Sequence, residues 1–157
     1  MKLWIDADAC PRKAKELIFQ AAERFSVETV LVANSKMSVP RSARISMMVV
    51  EGGHNKADDF IAEGVAAGDL VVTADIPLAA RIVERGALGI DPRGQIYNED
   101  NIAQKLAVRN LLAELRGGGL MGGGPPPYKD KDRHKFGVAL DRLLTKLISQ
   151  SMEQPEW

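Results

Sequence analysis

The chain has 157 residues but only one cysteine, two histidines and no surplus of either charge. A lone thiol closes no internal disulfide, so packing alone must hold the fold, and a reducing cytosol suits it. Lys and Arg number 21, and so do Asp and Glu. No global basic field therefore draws in nucleic acid or a membrane surface, and any contact with nucleic acid has to be local. The N-terminus lacks a basic stretch followed by an apolar one, and no apolar run approaches membrane-spanning length. A cytoplasmic protein without membrane contact is expected. The length suits one domain with a real core, and 45% hydrophobic against 27% charged residues is the balance of a soluble globular chain. No segment repeats.

The apolar pattern predicts strands alternating with helices. Lys2–Asp6 reads as a short buried strand. Ala14, Leu17, Ile18, Ala21, Ala22 and Phe25 recur at helical spacing, which predicts a helix over 11–25 with Pro11 in its first turn. Strands are predicted at Val27–Ala33, Ile45–Val50, within Asp69–Asp75 and at Ala87–Asp91. Helices are predicted at Asn55–Ala67, Ile76–Arg85 and Asn101–Leu115. This alternation predicts an α/β fold, a mainly parallel sheet covered on both faces. The stretch 116–135, "RGGGLMGGGPPPYKDKDRHK", reads as a Gly/Pro-rich linker. After it, Phe136, Leu140, Leu143, Leu144, Leu147 and Ile148 share one face of a final helix over 136–150. The predicted organisation is thus a domain at 1–115, the linker, and a helix that packs on the domain or on a partner such as a second copy of the chain.

In open parallel sheets, ligands gather at the carboxyl ends of the strands. Asp6 and Asp8, in "WIDADACP", end the first strand. Asp75 ends the fourth in "VVTAD", and Asp91 ends the fifth. On the helix after the third strand, Asp58 falls at the edge of the apolar face formed by Ala57, Phe60, Ile61 and Val65, whereas Asp59 points nearly opposite and Glu63 reads as solvated. Carboxylates meeting in one cleft repel: two unit charges about 4 Å apart cost roughly 4 kcal/mol at an effective dielectric near 20. A cation removes that cost, and Mg²⁺ or Mn²⁺ accepts an all-oxygen shell. Such an ion activates water and stabilises charge on a phosphoryl oxygen, the chemistry of phosphodiester hydrolysis. Capping and turn formation are the competing roles for single strand-end acids, and the turn role is preferred for Asp91, before Pro92.

Other residues carry weaker signals. Cys10 precedes a helix, where a thiol can be activated, but it has no His partner and reads as a packed residue. His54 in "EGGHN" reads as a phosphate-binding or acid–base group, or as a plain loop histidine. Asn34, Ser35, Thr73 and Arg93 are candidates to line the cleft and bind substrate, while Arg109 reads as surface. "YKDKDRHK" mixes an aromatic with basic residues that could grip a nucleic-acid backbone, but its alternating charge favours a solvated linker.

The strings "WIDADACP", "LVAN", "ADDFI", "GDLVVTADIPLAA", "DPRG" and the late "GGGPPP…DRHKF" resemble the bacterial YaiI/YqxD family across nearly the whole chain. That family resembles the PIN-like nucleases, which implies a three-layer α/β/α sandwich with one or two divalent ions on acids at strand ends. By that resemblance the first-strand acid is Asp6, with Asp8 an addition, the helix acid is Asp58, and the T-x-D motif is Thr73 to Asp75. The fourth acid would fall near Asp91, where "DPRG" departs from the pattern. The implied function is a Mg- or Mn-dependent nuclease acting on RNA. Two alternatives stay open. One is a non-catalytic RNA- or partner-binding module with a vestigial acid site. The other is a haloacid-dehalogenase-type phosphatase using Asp6 and Asp8 as its D-x-D pair, although Lys56 and Asp58 precede Thr73 in the wrong order for it.

Overall fold

The computed structural model describes residues 1–117 and 126–153. Its elements are β1 (Lys2–Asp6), α1 (Arg12–Phe25), β2 (Glu28–Ala33), β3 (Ile45–Val49), α2 (His54–Gly64), β4 (Leu70–Val72), α3 (Ile76–Glu84), β5 (Leu88–Ile90), β6 (Ile96–Tyr97), α4 (Ile102–Gly117) and α5 (Asp130–Glu153). The six strands form one sheet in the order β3-β2-β1-β4-β5-β6. All neighbours run parallel except β5 and β6. The order reverses between β1 and β4: the chain leaves β1 toward β2 and β3, then returns to lay β4, β5 and β6 on the other side. Such a reversal leaves a crevice beyond the carboxyl ends of the central strands.

Strand alternation divides the core in two. Leu3, Ile5, Leu31, Leu70 and Val72 face one way and pack with Ala14, Ile18, Ala21 and Ala22 of α1 and with Phe136, Leu140, Leu143, Leu144 and Leu147 of α5. Trp4, Val30, Val32 and Val71 face the other way and meet Ala57 and Ile61 of α2 and Leu78, Ala79, Ile82 and Val83 of α3. The result is the expected three-layer α/β/α arrangement. Each fully buried Leu or Ile contributes roughly 1.5–3 kcal/mol relative to exposure. Gly64 closes α2 against the Trp4 indole. A Cβ there would stand 2.7 Å from Cη2, so no larger residue lets this helix end lie on the ring.

The apolar stripe predicted for the last helix is buried against α1 and the sheet of its own chain. That helix begins at Asp130 rather than at Phe136. Asp132 accepts from Lys129 N at its start, and Arg93 Nη1 donates to Asp132 Oδ2 at 2.9 Å. Within the predicted linker, residues 118–125 lie outside the described residues. Two other differences stand out. β6 was not predicted, because two residues show no period. α4 forms as predicted and packs on α3, but none of its residues is buried, and Val108 and Leu111 stay about half exposed, at 48% and 55%. Pro11 is the N-cap of α1, one position outside the first turn. No helix among the described residues is long and apolar enough to cross a membrane.

Candidate metal centre

β1 places Asp6 on the same side as Trp4, toward α2 and α3, by simple alternation. The strand stops there, and Asp6 is 98% buried, with 2% exposure. One carboxylate oxygen, Oδ2, accepts from Thr73 Oγ1 at 2.9 Å. The other, Oδ1, is buried with no partner. Thr73 follows β4, the neighbour of β1 in the sheet, so parallel pairing brings the two side chains together. Its hydroxyl also accepts from Asp75 N at 3.0 Å, which ties the T-x-D turn to Asp6. Asp75 is the N-cap of α3: Oδ1 accepts from Leu78 N at 3.0 Å. Capping α3 uses only one oxygen of this residue, and the other, Oδ2, meets His54 at 2.8 Å.

The third acid comes from α2. Asp58 lies four residues after His54, one helical turn along the same face. His54 Nε2 stands 3.2 Å from Asp58 Oδ2 and 2.8 Å from Asp75 Oδ2. Asp58 Oδ1, like Asp6 Oδ1, is buried and unpartnered. Gly52 and Gly53, with φ of +112° and +92°, set the start of α2. L side chains rarely adopt that region, so the glycine pair aims the first residue of the helix, His54, at the acids.

The electrostatics follow from burial and crowding. Burial pushes the Asp6 carboxyl up, partly opposed by the Thr73 hydrogen bond and by His54, with the Asp75 and Asp8 charges adding to the rise. Burial, then the negative Asp75, lifts Asp58 to about 6. Burial alone would raise Asp75 too, but hydrogen bonds from His54 and from Leu78 N outweigh it and hold the carboxyl below its usual range. The Asp75 hydrogen bond raises His54 against the opposing effect of its partial burial, and the charges of Asp58 and Asp6 add to the rise.

Asp6, His54 and Asp58 each offer a ligand atom, and these atoms lie within 4.8 Å of one another. Two buried, unpartnered carboxylate oxygens are costly unless something positive meets them. The donor set and the orphaned oxygens fit a divalent cation.

Of the remaining predicted residues, Thr73 joins the acids and the others lie apart from them. β1 ends at Asp6 and the chain turns, so Asp8 does not continue the alternation. It is exposed and accepts from Asn34 N at 2.8 Å, at the rim. Asn34 is half-buried beside it and Ser35 is exposed. Thr73 touches Asp6 and the Asp75 backbone. Arg93 is not with the acids: its guanidinium donates to Asp132 and to Pro126 O, and lies 5.7 Å from the Tyr128 ring centroid. Asp91 accepts from the backbone N–H of Arg93 and Gln95, the turn role its Pro neighbour suggested. Asp59 pairs with Arg81 at 2.8 Å. Cys10 is buried, and burial pushes its thiol up to about 12, a poor nucleophile. His54, from sequence equally a plain loop histidine, stands against Asp58 and Asp75. Its i,i+4 spacing to Asp58 and the two preceding glycines were the available signal.

Fold and site together define a mainly parallel α/β protein with a cluster of acids at the carboxyl ends of its central strands. A family profile described as "Uncharacterized BCR, YaiI/YqxD family" matches residues 4–146. The UPF0178 protein of Trichlorobacter lovleyi is 51% identical over 154 residues, covering 98% of this chain and 100% of the relative. The UPF0178 protein of Xanthomonas campestris pv. campestris is 48% identical over 150 residues, covering 96% of this chain and 94% of the relative. The chain belongs to the YaiI/YqxD family. No solved structure matches it.

Proposed function

We propose that the protein is a divalent-metal-dependent nuclease that hydrolyses phosphodiester bonds, with RNA as its substrate. Mg²⁺ or Mn²⁺ would be held by Asp6, Asp58 and Asp75. The observation that carries this reading is the pair of buried oxygens, Asp6 Oδ1 and Asp58 Oδ1, left without partners beside the switch point. When bound, such an ion stabilises charge on a phosphoryl oxygen and makes water acidic enough to act near neutral pH. The chain's own groups do the rest. Thr73 fixes the Asp6 carboxylate in one rotation. Asp75 is locked by its helix cap. Asp8 at the rim adds negative potential that favours a cation's entry. The order of acids along the chain, with the T-x-D turn, resembles that of PIN-like nucleases and supports the same reading.

Two observations bear on the alternatives. Asp8 bonds to Asn34 N rather than turning to Asp6, which separates the two acids a D-x-D phosphatase needs in one place. Asp91 serves its own turn, which leaves three acids and favours a single ion. That shortfall also favours the second reading, a binding module with a vestigial site. The test is cleavage of end-labelled single-stranded RNA with Mn²⁺ or Mg²⁺, with Asp6→Asn as comparison. Metal-dependent cleavage lost in the variant is expected. Equal cleavage in both would overturn the proposal. RNA retained without cleavage across several metals would identify the binding module.

A further inference from the structure

The acids supply oxygen, but the group that bridges them is a nitrogen base. His54 Nε2 carries at most one hydrogen, yet two carboxylate oxygens stand within 3.2 Å of it. One N–H shared between two carboxylate oxygens is a compromise; the ligand atoms of Asp6, His54 and Asp58 lie within 4.8 Å of one another, and a cation among them relieves it. Two ligand atoms held cis on an octahedral ion at about 2.1 Å stand about 3 Å apart, and the observed His54–Asp58 separation of 3.2 Å is close to that. The imidazole is half exposed, so no core contact restrains its turning onto an ion. Gly53 as N-cap provides no side-chain bond to α2. That position is occupied by a residue that shapes the turn rather than one that caps the helix.

We infer that His54 is a metal ligand, completing a mixed nitrogen–oxygen set with Asp6 and Asp58 that favours a first-row transition ion over Mg²⁺. This deepens the metal-dependent reading above and rests on it. Beside the His54 geometry stands the unpartnered Oδ1 of Asp6, a residue 2% exposed, joined by the unpartnered Oδ1 of Asp58. Mg²⁺ is hard, sheds water reluctantly and prefers oxygen. Imidazole suits later first-row ions, and affinity for a mixed set rises along that series. A purely electrostatic histidine would behave differently: it would be displaced by the cation rather than bonded to it.

The experiment uses the full chain with Mn²⁺ and Mg²⁺ as probes, without nucleic acid. Pulsed electron paramagnetic resonance reads directly whether a ¹⁴N nucleus couples to the bound ion, and calorimetry gives Mn²⁺ and Mg²⁺ affinities for wild type and His54→Ala. Circular dichroism checks that the variant folds. Nitrogen coupling is expected in wild type and absent from His54→Ala. Mn²⁺ affinity is expected to fall about tenfold or more in the variant, with Mg²⁺ affinity changing less than about twofold. Mn²⁺ bound to wild type without nitrogen coupling would overturn the role of His54 and leave the metal reading standing. So would equal losses for the two ions. Failure of wild type to bind Mn²⁺ at all would overturn both.

Discussion

Two buried aspartates sit at opposite ends of the central strands, and they are built in opposite ways. Asp69, just before β4, is 6% exposed, and both its oxygens are used. It accepts from Lys2 N at 2.9 Å, Trp4 Nε1 at 3.1 Å and Ala66 N at 2.9 Å. Asp6, at the carboxyl end of β1, is buried more deeply and keeps an oxygen without a partner. The first arrangement is what stability favours. The second leaves a desolvation cost uncompensated within the chain, and the acids around it raise that cost. The contrast between the two therefore lies in how completely each carboxylate is satisfied, not in burial.

The sharpest way to break this comparison is to remove each carboxylate in turn. Asp69→Ala leaves three donors without their acceptor. It is expected to cost about 3 kcal/mol, since an unsatisfied buried polar group costs about 1–3 kcal/mol, and to lower Tm by roughly 6–12 °C. Asp6→Asn keeps the side-chain shape and an acceptor for Thr73 while removing the buried charge. Thermal melts are expected to show it no less stable than metal-free wild type. Its Mn²⁺ affinity is expected to fall by more than the roughly 10–100-fold that changes behind a ligand produce. A large stability loss in Asp6→Asn would put the two aspartates in the same class.

A smaller effect tests the crowding at the acid end. In the fold Asp58 is lifted from its usual 3.8 to about 6 by burial, then by Asp75. The native state holds that proton more tightly than the unfolded chain does. Stability is thus greatest with the proton on and is lost as pH rises from about 4 through about 6. Asn does not titrate, and His54 keeps Asp75 as a partner. Metal-free Asp58→Asn is expected to melt about 2–4 °C above wild type at pH 8, with the gap closing toward pH 4. A gap that is constant across this range would place the stability difference outside the Asp58 charge.

Much of this was legible in the residues. Strand cores such as "LWI" and "VLVA" are continuous apolar runs, and the helix carrying Asp58 shows a clear apolar face. The rule that parallel sheets work at their carboxyl ends then selected Asp6 and Asp75. What escaped depends on tertiary contacts. The start of α5 lies in polar "DKDRHK", fixed by Arg93 and a capping aspartate rather than by periodicity. β6 is two residues long and is defined by its pairing with β5 and by the burial of Tyr97. The turn after Asp6 sends Asp8 to the rim, and Arg93 reaches α5 instead of the cleft. No single-sequence pattern tells an arginine which of two anions it will meet.

The central claim is that Asp6 and Asp58 hold a cation between β1 and α2. Anomalous difference maps from crystals soaked in Mn²⁺ test it most directly. A strong peak in contact with both carboxylates, beside Asp75, is expected. A saturating soak that leaves this position empty, or puts the ion only at unrelated surface acids, would contradict it.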